Sequence, residues 1–152
     1  MSDAALTAWQ TALAMREWRQ QAAPDLSAWS TRVPLQVGVA IVGRPQSHAL
    51  NREWRGRDKP TNVLSFPAPT GMPLPPDEPA SPGELVICAP VVVDEARAGG
   101  IAGDAHWAHM MIHGVLHLIG YDHINGSDAK LMEATEIEAM TRLGLPNPYP
   151  DH

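Results

Sequence analysis

The sequence predicts an α+β chain, α/β-like in that a small, mostly parallel mixed sheet of about four strands is layered with helices. Three observations predict it. Apolar runs rich in β-branched residues recur near residues 37, 64 and 86, and such runs suit buried strands. Stretches with apolar residues at helical spacing separate and follow them. At 152 residues the chain is long enough for one compact core and short for two, so residues 1–152 are read as a single domain.

Each element has its own signal. Leu6, Trp9, Leu13 and Met15 lie near helical spacing up to Gln21, and Pro24 ends that stretch. Residues 35–42 (LQVGVAIV) form a nearly continuous apolar run, a first strand. Ser47 is a candidate N-cap for a short helix through Trp54, with Gly56 as its terminator. Residues 63–66 read as a second strand, stopped by Pro67. Residues 67–82 hold seven of the fifteen prolines; no helix or central strand survives that density, so the segment is a surface loop, either a lid or an insertion. Residues 84–88 read as a third strand, followed by a helix over about 91–98 that Gly99 and Gly100 end. Asp104 is a candidate cap for the next helix, which runs to Ile119 and breaks at Gly120. A last amphipathic helix spans about 127–143 and stops at Gly144. No internal repeat is present.

Composition narrows the function classes. Charged residues make up 18% of the chain and the net charge is −6, which gives no support to wholesale wrapping by nucleic acid and confines any such contact to a local patch. The single cysteine, Cys88, excludes an intrachain disulfide and reads as a small buried hydrophobe. The N-terminus lacks a basic stretch followed by an unbroken apolar one, so no signal peptide is expected. No run approaches the length of a membrane span. A cytoplasmic protein without a membrane partner is the expectation.

The segment His106-Trp-Ala-His-Met-Met-Ile-His-Gly-Val-Leu-His-Leu-Ile-Gly-Tyr-Asp-His123 carries the chemistry. At helical pitch His106, His109, His113 and His117 fall on one stripe, and Trp107, Ala108, Met111, Ile112, Val115, Leu118 and Ile119 on the opposite side. His113 and His117 are four apart, so their rings stack one turn above each other and can share a metal. A left-handed Gly120 can turn the chain back and bring His123 to the same ion. Three imidazoles leave one coordination position open, which suits a catalytic zinc, one per chain, rather than a structural one. His106 and His109 either line the cleft or are ordinary polar-face residues. Asp122 either orients an imidazole or accepts a proton, or is a plain turn residue.

The spacing matches that of metzincin peptidases, so a zincin-like layout with the metal site on a central histidine-bearing helix is expected; those enzymes place a glutamate base directly after the first histidine. Gly114 stands there, so a metallopeptidase lacks its usual base. Upstream, Arg52, Arg55, Arg57 and Lys59 face two acids, Glu53 and Asp58, within eight residues: a local balance of +2 in an acidic chain. Such a cluster suits a phosphodiester; a solvated helix C-terminus accounts for it equally well.

The run from Leu50 to Pro67 (LNREWRGRDKPTNVLSFP) and the run from His113 to His123 (HGVLHLIGYDH), with Gly83-Glu-Leu-Val-Ile-Cys88 between them, resemble the bacterial YbeY family. The likeness extends from about Val37 to Leu145; the family commonly has Gly-Asp where this chain has Gly83-Glu84, and residues 1–35 and the proline-rich loop match weakly. The resemblance implies a zinc-dependent, single-strand-specific endoribonuclease acting in late ribosome assembly, in ribosome quality control and in maturing the 3′ end of 16S rRNA. It implies His113, His117 and His123 as metal ligands and Arg55 as the residue on the RNA phosphate, and single-stranded RNA, the small ribosomal subunit and its proteins as partners. The expected chemistry pairs the zinc, as Lewis acid and activator of water, with Arg55 stabilising charge on the phosphate oxygens and Asp122 as the nearest candidate base. A base could stack on Tyr121 or Trp54, although both rings read better as core. The rivals are a metallopeptidase, and a non-catalytic assembly factor that uses zinc as a staple.

Overall fold

The computed structural model describes residues 35–68, 80–121 and 126–150. The expected N-terminal helix and most of the proline-rich loop lie outside these residues. Strand β1 (Leu35–Val42) leads into helix α1 (Arg44–Arg55), β2 (Val63–Pro67), β3 (Ala80–Cys88), α2 (Ala89–Ala98), α3 (Gly103–Leu118) and α4 (Gly126–Arg142). None of the described helices is long and apolar enough to cross a membrane.

Strand β3 is central in the order β1-β3-β2. It pairs parallel with β1, from Val37 opposite Gly83 to Val42 opposite Cys88, and antiparallel with β2, from Val63 opposite Ile87 to Pro67 opposite Gly83. Among the described residues the sheet therefore has three strands, with one parallel and one antiparallel pair, where the sequence suggested about four, mostly parallel. An apolar run marks a buried strand but carries no direction; β2 pairs with β3, the element that follows it, so the chain doubles back between them and the pair is antiparallel. Gly83 permits a close approach of β3 to β2. Its φ is +142°, and a Cβ there would lie 2.2 Å from the carbonyl oxygen of Phe66.

The helix ends show which local signals hold. Gly56, at φ 69°, closes α1 as expected. Ser47 does not cap it: α1 starts at Arg44 with proline in its first turn, where a missing N–H costs nothing. Ser47 is buried within the helix, and its hydroxyl donates to the Thr61 carbonyl and accepts from the Thr61 amide, both at 3.0 Å. Asp104 makes no cap bond and sits in the first turn of α3, where a negative charge suits the helix dipole.

Helix α3 is the spine. Met111, Ile112, Val115, Leu116 and Leu118 join Leu85, Ile87 and Val92 in one core with Met132 and Met140 of α4. Gly114 lets α3 lie close to the sheet, since a Cβ on it would sit 2.8 Å from Leu85 Cδ2 and 3.2 Å from Val63 Cγ2. The Ser65 hydroxyl of β2 uses that closeness to donate to the Gly114 carbonyl at 3.0 Å. Cys88 is fully buried, as a small hydrophobe should be.

Candidate metal centre and cationic cleft

Helix α3 does not show its histidines on an open face. His106 is buried and His109, His113 and His117 are half-buried, because helix α4 and the segment after it cover part of that stripe. His106 Nε2 meets Glu95 at 3.1 Å, and the Nε2 of His109 meets Glu136 on α4. Neither lines the cleft below; both tie α3 to a neighbouring helix.

His113 and His117 behave differently. The Nδ1–H of His117 donates to the Tyr121 carbonyl at 3.1 Å, since a carbonyl can only accept. His113 Nδ1 donates to Glu136 Oε1 at 3.2 Å. The two Nε2 atoms face each other 3.2 Å apart, and in neutral rings with the proton on Nδ1 both present lone pairs. Two lone pairs at that distance repel unless a cation lies between them. Tetrahedral zinc with Zn–N bonds near 2.05 Å spaces its nitrogens by about 3.3 Å, close to the separation of this pair. The third expected ligand, His123, and its neighbour Asp122 lie outside the described residues.

Glu136 is a residue the sequence reading missed. It is 1% exposed and accepts from His109, from His113 and, at 2.8 Å, from the Tyr149 hydroxyl. Burial pushes its pKa up, but the hydrogen bonds from His109 and His113, and the charge those rings carry once protonated in acid, more than offset that and bring it from 4.5 to about 2. Burial and the nearby Glu136 charge push the Tyr149 hydroxyl up. His109, His113 and Glu136 also bring three donor atoms within 4.8 Å of one another, so that trio could itself hold a metal ion. Its signal in sequence was faint, a glutamate in the middle of an amphipathic helix.

His113 and His117 form one wall of a cleft of about 810 Å³, whose other walls include Asn51, Arg55, Arg57, Lys59, Ser65 and Tyr121. The cationic loop is held in place. The Asn51 amide donates to the Lys59 carbonyl at 2.7 Å, Ser47 holds Thr61, and His48 pairs with Asp58 at 2.7 Å. That hydrogen bond, aided by the His48 and Arg52 charges, keeps the Asp58 carboxyl below its usual range. Asp58 is thus engaged by His48. Among the described residues no carboxylate lies within ion-pair distance of Arg55, Arg57 or Lys59. Arg55 donates from Nη2 to the Ser65 carbonyl at 2.8 Å, which aligns its guanidinium along the cleft. The cluster is therefore more than a solvated helix end.

The two aromatic candidates separate. Tyr121 is 2% exposed and belongs to the core, as expected. Trp54 is 63% exposed, against the expectation of core, with its ring edge-on to Phe66 at 6.1 Å. It follows Glu53 on a helix whose Asn51 and Arg55 line the cleft.

Comparisons with known proteins place the chain in a family. A family model described as endoribonuclease YbeY matches residues 5–144. Proteins named endoribonuclease YbeY include one from Halorhodospira halophila, 51% identical over 114 residues (75% of this chain and 74% of that one). Another, from Acinetobacter baylyi, is 53% identical over 116 residues (75% and 73%), and one from Alkalilimnicola ehrlichii is 44% identical over 151 (95% and 87%). A solution structure of a Thermotoga maritima protein shares the fold, with a TM-score of 0.51 at 24% identity over all of this chain and 93% of the other. The histidine helix and the cationic loop described above lie within the matched span, and the chain belongs to the YbeY endoribonuclease family.

Proposed function

We propose that this chain is a metal-dependent endoribonuclease that cuts single-stranded RNA in the cleft between the His113–His117 pair and Arg55. The observation that carries this reading is the pair of facing Nε2 atoms of His113 and His117, 3.2 Å apart, across a cleft whose cations Arg55, Arg57 and Lys59 have no acidic partner among the described residues. A metal donor pair opposite unneutralised guanidinium groups suits a phosphodiester.

The donor set of His113 and His117, with His123 as third ligand, fits a borderline cation such as zinc. When bound, such an ion supplies a Lewis acid for a phosphoryl oxygen and lowers the pKa of a water molecule into the neutral range. The chain's own residues do the rest. Arg55, braced by the Ser65 carbonyl, binds a phosphate oxygen and stabilises the charge that grows on it. Arg57 and Lys59 hold the neighbouring phosphate. Asp122, beside His123, is the proposed proton acceptor. The exposed ring of Trp54 suits a stacked base, which only an unpaired strand can offer.

The proposed substrate is 16S rRNA at its 3′ end, met during late small-subunit assembly and quality control in the cytoplasm. A chain of net charge −6 with one cationic strip binds free RNA weakly and with strong salt dependence, so proteins of the small subunit are the proposed source of specificity.

A peptidase finds no support in the structure. The position that would carry its glutamate is Gly114, packed against Leu85 and Val63, and a glutamate there would have to displace the core. The test is to offer zinc-loaded protein a labelled RNA, the same sequence as a duplex, and casein. Cleavage of the single strand alone is expected. Digestion of casein, or equal cutting of the duplex, would refute the reading.

A further inference from the structure

A second cavity of about 280 Å³ is lined by Met132, Glu133, Glu136, Tyr149 and His113, the last of which also lines the cleft. The chain that follows α4 returns along this cavity. Tyr149 places its hydroxyl 2.8 Å from Glu136 Oε2 and its ring edge-on to His109, with centroids 5.4 Å apart. Three donors from two elements, His109 and His113 of α3 and Tyr149 after α4, thus converge on one carboxylate that is 1% exposed. Nothing in the RNA chemistry proposed above requires a tyrosine there.

We infer that Glu136 and Tyr149 are positioning residues that hold His113 with its proton on Nδ1 and its Nε2 turned to the metal position, so that the C-terminal segment sets how tightly the centre grips its ion. The inference rests on the metal reading given above. Its physical basis is tautomer control. A neutral imidazole carries one proton, and the group opposite Nδ1 decides where it sits. A carboxylate there keeps it on Nδ1 and makes Nε2 a better donor to metal. The carboxylate in turn needs fixing, because Glu136 can rotate away from His113. The Tyr149 hydroxyl and His109 fix it by occupying Oε2, which leaves Oε1 for His113. The binding strength of the metal is then set partly by a residue that never touches it.

The test uses the full chain with Tyr149→Phe, which keeps the ring and its contact with His109, and Glu136→Gln. Three quantities are read: zinc affinity by chelator competition, the tautomer of His113 in the metal-free protein from imidazole nitrogen spectra (assigned by comparison with His113→Gln), and metal-free melting temperature. His113 is expected as the Nδ1–H tautomer in the wild type and as a mixture in both variants. Zinc affinity should fall by about 10- to 100-fold in Glu136→Gln and by about 10-fold in Tyr149→Phe, the range seen for outer partners of ligating histidines. A Tyr149→Phe protein that melts lower but keeps both the His113 tautomer and the zinc affinity would overturn the inference, since that is what a merely structural tyrosine does. An Nε2–H tautomer in the wild type would overturn it as well. Zinc binding undiminished in His117→Ala is a separate outcome: it would refute the metal reading, and the inference with it.

Discussion

Substitution of Gly114 by alanine probes the contact that brings the histidine helix to the sheet. In an open helix the change gains up to about 1 kcal/mol, because glycine is the poorer helix former. Here the new methyl would lie 2.8 Å from Leu85 Cδ2, 3.1 Å from Leu85 Cδ1 and 3.2 Å from Val63 Cγ2. Leu85 is 0% exposed, so it cannot swing into solvent, and overpacking of this kind costs about 1–3 kcal/mol. The balance is a net loss of about 1–2 kcal/mol, which for a chain of this size lowers the melting temperature by about 2–8 °C. The clash also predicts coupling. Leu85→Ala alone costs about 2–5 kcal/mol through the cavity it leaves. The methyl added by Gly114→Ala partly fills that cavity, so the double variant should be less destabilised than the sum of the two by about 1 kcal/mol. Gly103→Ala is the control, with nothing within 4 Å of its built Cβ. Thermal melts and urea titrations of the wild type and these variants give the answer. A Gly114→Ala protein as stable as the wild type, or additive with Leu85→Ala, would refute the packing argument and with it the steric case against a glutamate at 114.

Other consequences follow from the same contacts. Glu136 has a folded-state pKa below its ordinary 4.5, at about 2, so its contribution to stability is complete above pH 4.5 and is lost as the pH falls toward 2; acid melts of the metal-free chain should show this slope, and Glu136→Gln should lack it. Arg55→Lys keeps the charge but loses the fork that grips the Ser65 carbonyl and a phosphate together, so kcat/KM on RNA should drop by about 10- to 100-fold without a change in melting temperature. Trp54→Ala removes an exposed ring, so folding should be untouched while KM for single-stranded RNA rises by about 5-fold or more, the lower end of a 1–3 kcal/mol stacking contact.

Much of this molecule can be read from local chemistry. The three apolar runs, the glycine stop at Gly56 and the one-turn stacking of His113 and His117 all depend on a few neighbouring residues, and each appears in the structure, although β3 starts earlier, at Ala80, and takes in Pro82 from the segment read as a loop. What failed depended on partners far along the chain. Ser47 looked like a cap because serine often is one, yet its hydroxyl serves Thr61, fourteen residues away. The direction of β2 was invisible because alternation and apolarity are the same in either sense. The cover over the histidine stripe cannot be read from α3 alone, because the covering residues, Glu136 on α4 and Tyr149 in the tail, are 23 and 36 residues beyond His113. Glu136 escaped notice for that reason: a buried carboxylate announces itself only through the donors that surround it. Trp54 is the reverse case, an aromatic ring whose size argued for the core and whose place at the exposed end of α1 decided otherwise.

The central claim is that the His113–His117 pair and the cationic cleft form one metal-dependent site for RNA. The measurement that tests it most directly is cleavage of a labelled single-stranded RNA by a single preparation taken through chelation and zinc re-addition, with His117→Ala treated identically. The account predicts cutting by the zinc-loaded wild type, loss of cutting on chelation, recovery on re-addition, and no cutting by His117→Ala at any stage. Cleavage that persists through chelation, or that His117→Ala performs as well as the wild type, would contradict it.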